Sequence, residues 1–216
     1  MPPTSAPAPY AVLFDMDGTL VNTEPLWAVA ETELLAEYGL SWSPEQAEEL
    51  TGWALEQAAE HLRGYGLPLD VEQVIGRLEE RVMTQLRGEF PWVAPTRDLL
   101  AECGQRGVPV ALVTMSRRAM ADVVIAAAPA RFDFSVTGDE VVHPKPDPWP
   151  YRHAAEAVGV PPHRCIAIED SATGAQAARD AGCTVYTVGP QAGQILGLPA
   201  LPPNPTLDEL VPVTSR

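Results

Sequence analysis

In the stretch AVLFDMDGTLV, residues 11–21, an apolar run ends abruptly in two carboxylates. Residues 10–14 (YAVLF) are continuously apolar, as expected for a strand that is covered on both faces of its sheet. Asp15 and Asp17 follow at once, with Gly18 after them. Since Asp and Gly also favour ordinary turns, the stretch by itself leaves two interpretations open, a turn and a catalytic edge.

Further apolar runs recur along the chain and alternate with helical patterns. The predicted strands are 10–14, 108–113, 132–137, 164–168 and 183–188. The predicted helices between and after them are 95–106, 117–128, 148–158 and 171–181. Strand and helix alternating at this spacing predict an α/β fold, in which a parallel sheet is connected by right-handed crossovers.

Residues 24–90 interrupt this rhythm, because they show apolar helical periodicity and no convincing strand. A loop of that length without structure would be improbable inside a compact domain. We therefore predict a helical cap domain, residues 23–91, inserted into a Rossmann-like core formed by residues 10–22 and 92–216. Residues 1–9 are rich in proline and are predicted to be a flexible tail.

The composition restricts the class of partner. The 216-residue chain has a net charge of -15, which argues against nucleic acid and anionic membranes, since both bind through positive surface. No apolar run approaches the roughly 20 residues that span a bilayer, and the N-terminus has no secretory signal, so a cytoplasmic location is expected. Cys103, Cys165 and Cys183 lack metal-like spacing and are interpreted as core residues. The oligomeric state does not follow from the sequence.

Functional groups come directly after the predicted strands. Asp15 and Asp17 follow the first strand, Thr114 and Ser116 the second, and Glu169 and Asp170 the fourth. In an open parallel sheet, ligands bind outside the carboxyl ends of the strands, so these groups should converge on one edge. Each pair also has a plainer interpretation, because Thr, Ser and Asp are common helix caps.

Lys145 is the only lysine among 14 basic residues. Pro144 and Pro146 stiffen its loop and disfavour helical geometry there, and Asp147 can cap a helix whose first residue is Pro148. A chain that otherwise uses arginine keeps a compact ammonium group at this one place, where a planar guanidinium is no equivalent. The alternative is an isolated surface lysine.

The charges at this edge indicate a metal. Four carboxylates in one cleft would repel a phosphate group, and oxygen ligands of this kind are those that Mg²⁺ prefers. Together with Lys145, a Mg²⁺ ion would leave a single negative charge, which protonation of one carboxyl removes. The cleft then contains a nucleophile, an acid, a cofactor and a fixed cation, as phosphoryl transfer requires.

Four motifs resemble those of the haloacid dehalogenase superfamily: DMDGT, LVTMS, the lysine of KPDPWPY, and IAIEDSATGAQAA. The similarity covers nearly the whole chain in the same order, and the insertion resembles the helical cap of the phosphoglucomutase-like branch. The resemblance implies that Asp15 is the nucleophile that becomes an aspartyl phosphate. It implies that Asp17 is the acid and then the base, with its backbone carbonyl binding Mg²⁺.

The remaining roles also come from this resemblance. Thr114 and Lys145 hold the phosphoryl oxygens, and Ser116 is counted with the substrate-binding residues. Asp170 binds the metal, and Glu169 supports it directly or through water. β-Phosphoglucomutases carry a histidine and a cap arginine where this chain has Trp27 and Leu55.

The stretch NTEPLW instead resembles the sugar-phosphate phosphatases of the same branch. The segment TGWALEQ, residues 51–57, is the expected lid, in which Trp53 could stack on a sugar ring and Gln57 could bond a hydroxyl. The alternative for Trp53 is an ordinary place in the core of the cap.

The sequence therefore predicts a Mg²⁺-dependent phosphatase that acts on a small phosphorylated metabolite, a sugar or polyol phosphate. A phosphomutase of the same branch is the first alternative. A signalling or binding module that carries a phospho-aspartate is the second, although such receiver domains are compact and lack a helical insertion.

Overall fold

The computed structural model describes residues 10–50, 53, 55–88 and 90–210, so the predicted tail at residues 1–9 lies outside the described residues. The chain divides into two compact units. One ends at Val21 and resumes at Trp92, and the other is Asn22–Pro91. At the junction, Val21 and Trp92 form an antiparallel bridge, so the segments that lead into and out of the insertion run side by side.

The first unit is built on a parallel five-stranded sheet with the order β3-β2-β1-β4-β5. Its strands are β1 (Ala11–Phe14), β2 (Val110–Val113), β3 (Phe134–Val136), β4 (Cys165–Glu169) and β5 (Thr184–Thr187). The predicted α/β Rossmann-like fold is confirmed. The three central strands are buried along their whole length, which explains why they are continuously apolar in the sequence.

Helices connect these strands. They are α5 (Ala94–Arg106), α6 (Arg118–Ala127), α7 (Trp149–Ala157) and α8 (Ala172–Ala181), followed by the short α9 (Leu207–Leu210). Helix α7 begins one residue later than predicted, because Pro148 is its N-cap. The Asp147 carboxylate still accepts the Trp149 backbone N–H, at 2.8 Å, so the predicted capping residue serves the start of the helix.

The core of this unit lies between the sheet and helices α7 and α8, and includes Leu13, Ala111, Ala167, Ala178 and the fully buried Tyr151. Cys103 and Cys165 are buried and Cys183 is half-buried, and all three are free thiols, in agreement with the predicted core positions.

The second unit is helical in its described part, with α1 (Glu24–Glu37), α2 (Pro44–Glu49), α3 (Leu55–Gly64) and α4 (Val71–Leu86). Helix α4 starts in a capping box, in which Asp70 accepts the Gln73 backbone N–H and Gln73 accepts that of Asp70. Helices α1 and α3 both pack on α4. Within the described ranges, no helix combines the length and the apolar character that crossing a membrane requires.

Candidate active site

The carboxyl ends of the three central strands bring the predicted groups together. Asp15 follows β1, Thr114 follows β2, and Glu169 is the last residue of β4, with Asp170 after it. Because β1 pairs with β2 on one side and with β4 on the other, these groups lie at neighbouring positions on one sheet edge. The convergence that the sequence predicted is present.

Lys145 lies between two of these carboxylates. Its Nζ donates to Asp15 Oδ1 at 2.7 Å, to Glu169 Oε1 at 2.6 Å and to the Val113 carbonyl oxygen at 2.9 Å. The side chain is only 4% exposed, so the interpretation as an isolated surface lysine is wrong. An ammonium group has three N–H donors, and all three are used here.

Glu169 is completely buried, and its carboxylate is surrounded by donors. Oε1 accepts from Lys145 and from the Tyr151 hydroxyl, each at 2.6 Å. Oε2 accepts from the Ser171 hydroxyl at 3.1 Å and from the Ser171 backbone N–H at 3.4 Å. Since a carboxylate offers about four lone-pair sites, its accepting capacity is taken up by protein groups.

Asp17 points toward hydroxyl groups. Its Oδ2 accepts from Ser116 Oγ at 2.6 Å and, more weakly, from Thr114 Oγ1 at 3.4 Å. Thr114 Oγ1 in turn accepts the Ser116 backbone N–H at 2.9 Å. The alternative role of Thr114 and Ser116 as helix caps is wrong, because Arg117 is the N-cap of α6 and makes no side-chain capping bond.

Asp15, Glu169 and Asp170 form an acidic cluster, in which one carboxylate oxygen from each residue lies within 4.8 Å of those from the other two. Burial, followed by the negative charge of Glu169, raises the pKa of Asp15 well above its usual range and that of Asp170 to about 7. Burial alone would lower the pKa of Lys145, but the charges of Asp15 and Glu169 outweigh it, and the pKa is raised.

This cluster fits a divalent metal ion. Burial and, after it, the charge of Glu169 disfavour the ionised forms of Asp15 and Asp170, and a bound cation would favour them. Closely spaced carboxylate oxygens are the donor set of Mg²⁺. The backbone of Gly18, with φ of +73°, allows close approach, because a Cβ atom there would lie 2.0 Å from Asp170 Oδ2. The residues present therefore suit a Mg²⁺ ion.

The predicted cap residues lie in the second unit. Trp53 is 46% exposed and makes an edge contact with His61, at 5.5 Å between ring centroids, so its alternative place in the cap core is wrong. Gln57 is exposed on α3. Thr51, Gly52 and Ala54 of the expected lid lie outside the described residues. Trp27 and Leu55, at the positions assigned to the mutase histidine and arginine, are half-buried.

Sequence reasoning missed two residues that touch Glu169. Tyr151 and Gly174 both belong to motifs that the sequence analysis recognised, but neither residue was given a role there. A Cβ atom on Gly174 would lie 1.9 Å from Glu169 Oε1, so glycine is needed for this close packing. No local pattern could reveal either contact, because both depend on how α7 and α8 pack against β4.

Comparisons with known proteins show similarity in sequence and in fold. The family model of the haloacid dehalogenase-like hydrolases matches residues 10–182 of this chain. Protein CbbY from Cereibacter sphaeroides is 36% identical over 185 residues, which cover 80% of each chain. Fructose-1-phosphate phosphatase YqaB from Escherichia coli is 34% identical over 182 residues, covering 82% of this chain and 95% of that protein. The crystal structure of CbbY from Rhodobacter sphaeroides with phosphate superposes with a TM-score of 0.80 at 31% identity, covering 93% and 98% of the two chains.

Proposed function

The chain belongs to the haloacid dehalogenase-like hydrolases and is a phosphoric monoester hydrolase, and we propose that it hydrolyses a sugar or polyol phosphate with Mg²⁺ through an aspartyl phosphate. The observation that carries the proposal is the buried ammonium group of Lys145, which joins Asp15 to Glu169 beside Asp170. The substrate class is supported by the similarity to a fructose-1-phosphate phosphatase.

In the first half-reaction, a carboxylate oxygen of Asp15 attacks phosphorus, and the bond from phosphorus to the sugar oxygen breaks. Asp17 gives its proton to the departing alkoxide. The hydroxyl of Ser116, 2.6 Å from Asp17 Oδ2, holds that carboxyl group in one orientation. This step leaves a phosphoryl group on Asp15 and releases the dephosphorylated sugar or polyol.

In the second half-reaction, Asp17 accepts a proton from a water molecule, and the water oxygen attacks phosphorus. The bond between phosphorus and Asp15 breaks, which releases inorganic phosphate and restores the carboxylate. A single carboxyl group thus acts first as general acid and then as general base. Lys145 and Thr114 stabilise the charge of the transferring phosphoryl group in both steps.

Asp15, Asp170 and the backbone carbonyl of Asp17 would hold the Mg²⁺ ion. When bound, Mg²⁺ offsets the charge of the acidic cluster and of the phosphoryl oxygens, so that an anionic substrate can approach an ionised nucleophile. We assign Glu169 a supporting place, because its oxygens already accept from Lys145, Tyr151 and Ser171.

A phosphate-release screen tests the proposal. Sugar, polyol, nucleotide and glycolate phosphates are incubated with the protein, with and without Mg²⁺, and free phosphate is measured. We expect turnover of sugar or polyol phosphates that requires Mg²⁺. Turnover that is equal in the presence of a chelator, or confined to nucleotides, would contradict the proposal.

The Asp15→Asn variant is the decisive control, because an amide cannot attack phosphorus. We expect no turnover above background, together with an unchanged circular dichroism spectrum. Measurable activity in a preparation free of contaminating phosphatase would remove Asp15 from the role of nucleophile. Incubation of a glucose monophosphate with glucose bisphosphate distinguishes the phosphomutase alternative, which predicts isomerisation of the monophosphate instead of phosphate release.

A further inference from the structure

We propose that Tyr151 is a positioning residue that frees Lys145 to bind the transferring phosphoryl group; this inference rests on the proposed function. Tyr151 is fully buried in α7, and its hydroxyl donates to Glu169 Oε1 at 2.6 Å. The Lys145 Nζ lies 5.2 Å from the centroid of the Tyr151 ring, within the range of a cation–π contact. Tyr151 therefore touches both partners of the buried ion pair.

All three N–H donors of Lys145 are already used, which leaves none for a substrate. Its three N–H groups are directed at Asp15, Glu169 and the Val113 carbonyl oxygen. A phosphoryl oxygen can accept from Lys145 only when one of these bonds is given up. Asp15 becomes esterified in the proposed reaction and loses charge, but before that step the nucleophile must stay aligned.

Of the two bonds to carboxylates, the bond to Glu169 is the one that can be exchanged at lower cost. A buried carboxylate oxygen that loses its only donor is left with an uncompensated charge, which is strongly destabilising. Glu169 Oε1 avoids this state, because the Tyr151 hydroxyl remains on it when Lys145 turns toward the substrate. The second oxygen stays bonded to Ser171 throughout.

Without the hydroxyl, Glu169 Oε1 would depend on Lys145 alone. Lys145 would then be held on Glu169 and would be less available to the phosphoryl group. The resulting loss of binding free energy between Lys145 and the phosphoryl group should be small in the ground state. It should be large in the transition state, where the charge on the transferring group is greatest. Mutation of residues that support metal ligands indirectly typically changes activity by about 10–100-fold, and we expect the same scale for Tyr151, which supports Glu169 beside the proposed metal site.

The test compares the wild-type protein with Tyr151→Phe, which keeps the ring and removes only the hydroxyl. The matched control is Tyr186→Phe on β5, a half-buried tyrosine of the same sheet whose hydroxyl has no hydrogen-bond partner among the described residues. For each protein, kcat and KM are measured with the best sugar phosphate. Affinities for inorganic phosphate and for aluminium fluoride, a mimic of the transferring group, are measured by calorimetry with Mg²⁺.

For Tyr151→Phe we expect kcat to fall about 10–100-fold with KM nearly unchanged. Affinity for aluminium fluoride should fall in parallel with kcat, whereas affinity for phosphate should change no more than about threefold, because the effect belongs to the transition state. Tyr186→Phe should behave as wild type. Thermal unfolding of all three proteins establishes that they are folded.

Two results would overturn the inference alone: wild-type kinetics and affinities in Tyr151→Phe, or equal losses of affinity for phosphate and aluminium fluoride, which a merely structural role predicts. A wild-type protein that neither hydrolyses a phosphate ester nor binds aluminium fluoride would overturn the proposed function and this inference with it.

Discussion

The environment of Lys145 suits an ammonium group and excludes a guanidinium group. Its ammonium group is surrounded by two carboxylate oxygens and one carbonyl oxygen at 2.6–2.9 Å, in a site that is almost closed to solvent. Those acceptors suit a compact ammonium group. A guanidinium group is planar and larger, so arginine could not direct three donors to the same three atoms.

We expect Lys145→Ala to lower kcat/KM by about 10²–10³-fold, equivalent to roughly 3–4 kcal/mol, the scale for removing one preorganised donor. Lys145→Arg should recover only part of this loss, because its charge is restored without its geometry. Steady-state kinetics on the substrate found in the screen measures both effects.

Lys145→Met is the control for lost side-chain volume, since it nearly keeps the length of the side chain without the charge. Because removal of the cation leaves Asp15 and Glu169 facing each other, both neutral variants should also unfold at lower temperature. Activity of Lys145→Arg equal to wild type would show that charge alone suffices, and would contradict the argument from geometry.

At the scale of the element, the first turn of α8 shapes the acidic cluster. Ser171 is the N-cap, and its hydroxyl accepts the Gly174 backbone N–H at 3.1 Å while donating to Glu169. Capping and support of Glu169 are therefore performed by the same side chain. Gly174 lies directly against the Glu169 carboxylate, where a side chain would overlap it.

We expect Gly174→Ala to be destabilising and to reduce activity, because the Glu169 carboxylate is held from all sides and cannot yield to a Cβ atom. Helix propensity alone predicts the opposite, a gain of about 1 kcal/mol. Thermal unfolding and kcat decide between the two.

The matched control is Gly76→Ala in α4, where a Cβ atom meets nothing within 4 Å and the residue is exposed. This variant should show the full gain in stability with no change in kcat. A Gly174→Ala protein that is as stable and active as Gly76→Ala would show that Glu169 can move, and would weaken its assigned role as a fixed support.

In the whole molecule, both units bury carboxyl groups, but the groups have different surroundings in each unit. In the first unit, buried carboxylates surround a cation and fit a metal ion. In the second, Glu31 on α1 is only 6% exposed, and its Oε2 accepts no hydrogen bond from any described residue. Burial raises the pKa of Glu31 to about 7, with the Trp42 side chain acting in the opposite direction.

A carboxyl group whose pKa is higher in the folded than in the unfolded state favours folding most at low pH, and this contribution is lost as the pH rises through the folded pKa. For Glu31 the loss occurs between about pH 4.5 and pH 7. Above pH 7 the ionised group destabilises the second unit by up to about 3 kcal/mol, since one pKa unit corresponds to about 1.4 kcal/mol.

We therefore expect Glu31→Gln to stabilise the second unit at pH 8 and to have little effect at pH 4.5. Hydrogen exchange measured by mass spectrometry separates the units: peptides of α1 and α4 should exchange more slowly in the variant at pH 8. Glu33→Gln, at an exposed position of the same helix, is the control. Equal rates of hydrogen exchange in Glu31→Gln and wild type at pH 8 would show that ionisation of Glu31 does not destabilise the second unit.

The α/β class, the approximate strand and helix positions, and the set of groups at the carboxyl ends of the strands could all be predicted from the amino-acid sequence. These features follow from local patterns, because apolar runs report burial and the residue after a parallel strand necessarily lies at the sheet edge. Lys145 could be singled out as well, because it is the only lysine in the sequence, but its burial could not be predicted.

Which of these groups form hydrogen bonds with one another follows only from the way the elements pack. Ser116 bonds to Asp17 instead of capping α6, Tyr151 shares Glu169 with Lys145, and Glu31 lies buried without a partner for Oε2 among the described residues. Such pairings join elements that are far apart in the chain, and they are set by differences of about 1 Å in how helices pack on a sheet. A hydrogen bond forms or fails within that range, so no pattern read along the chain could predict them.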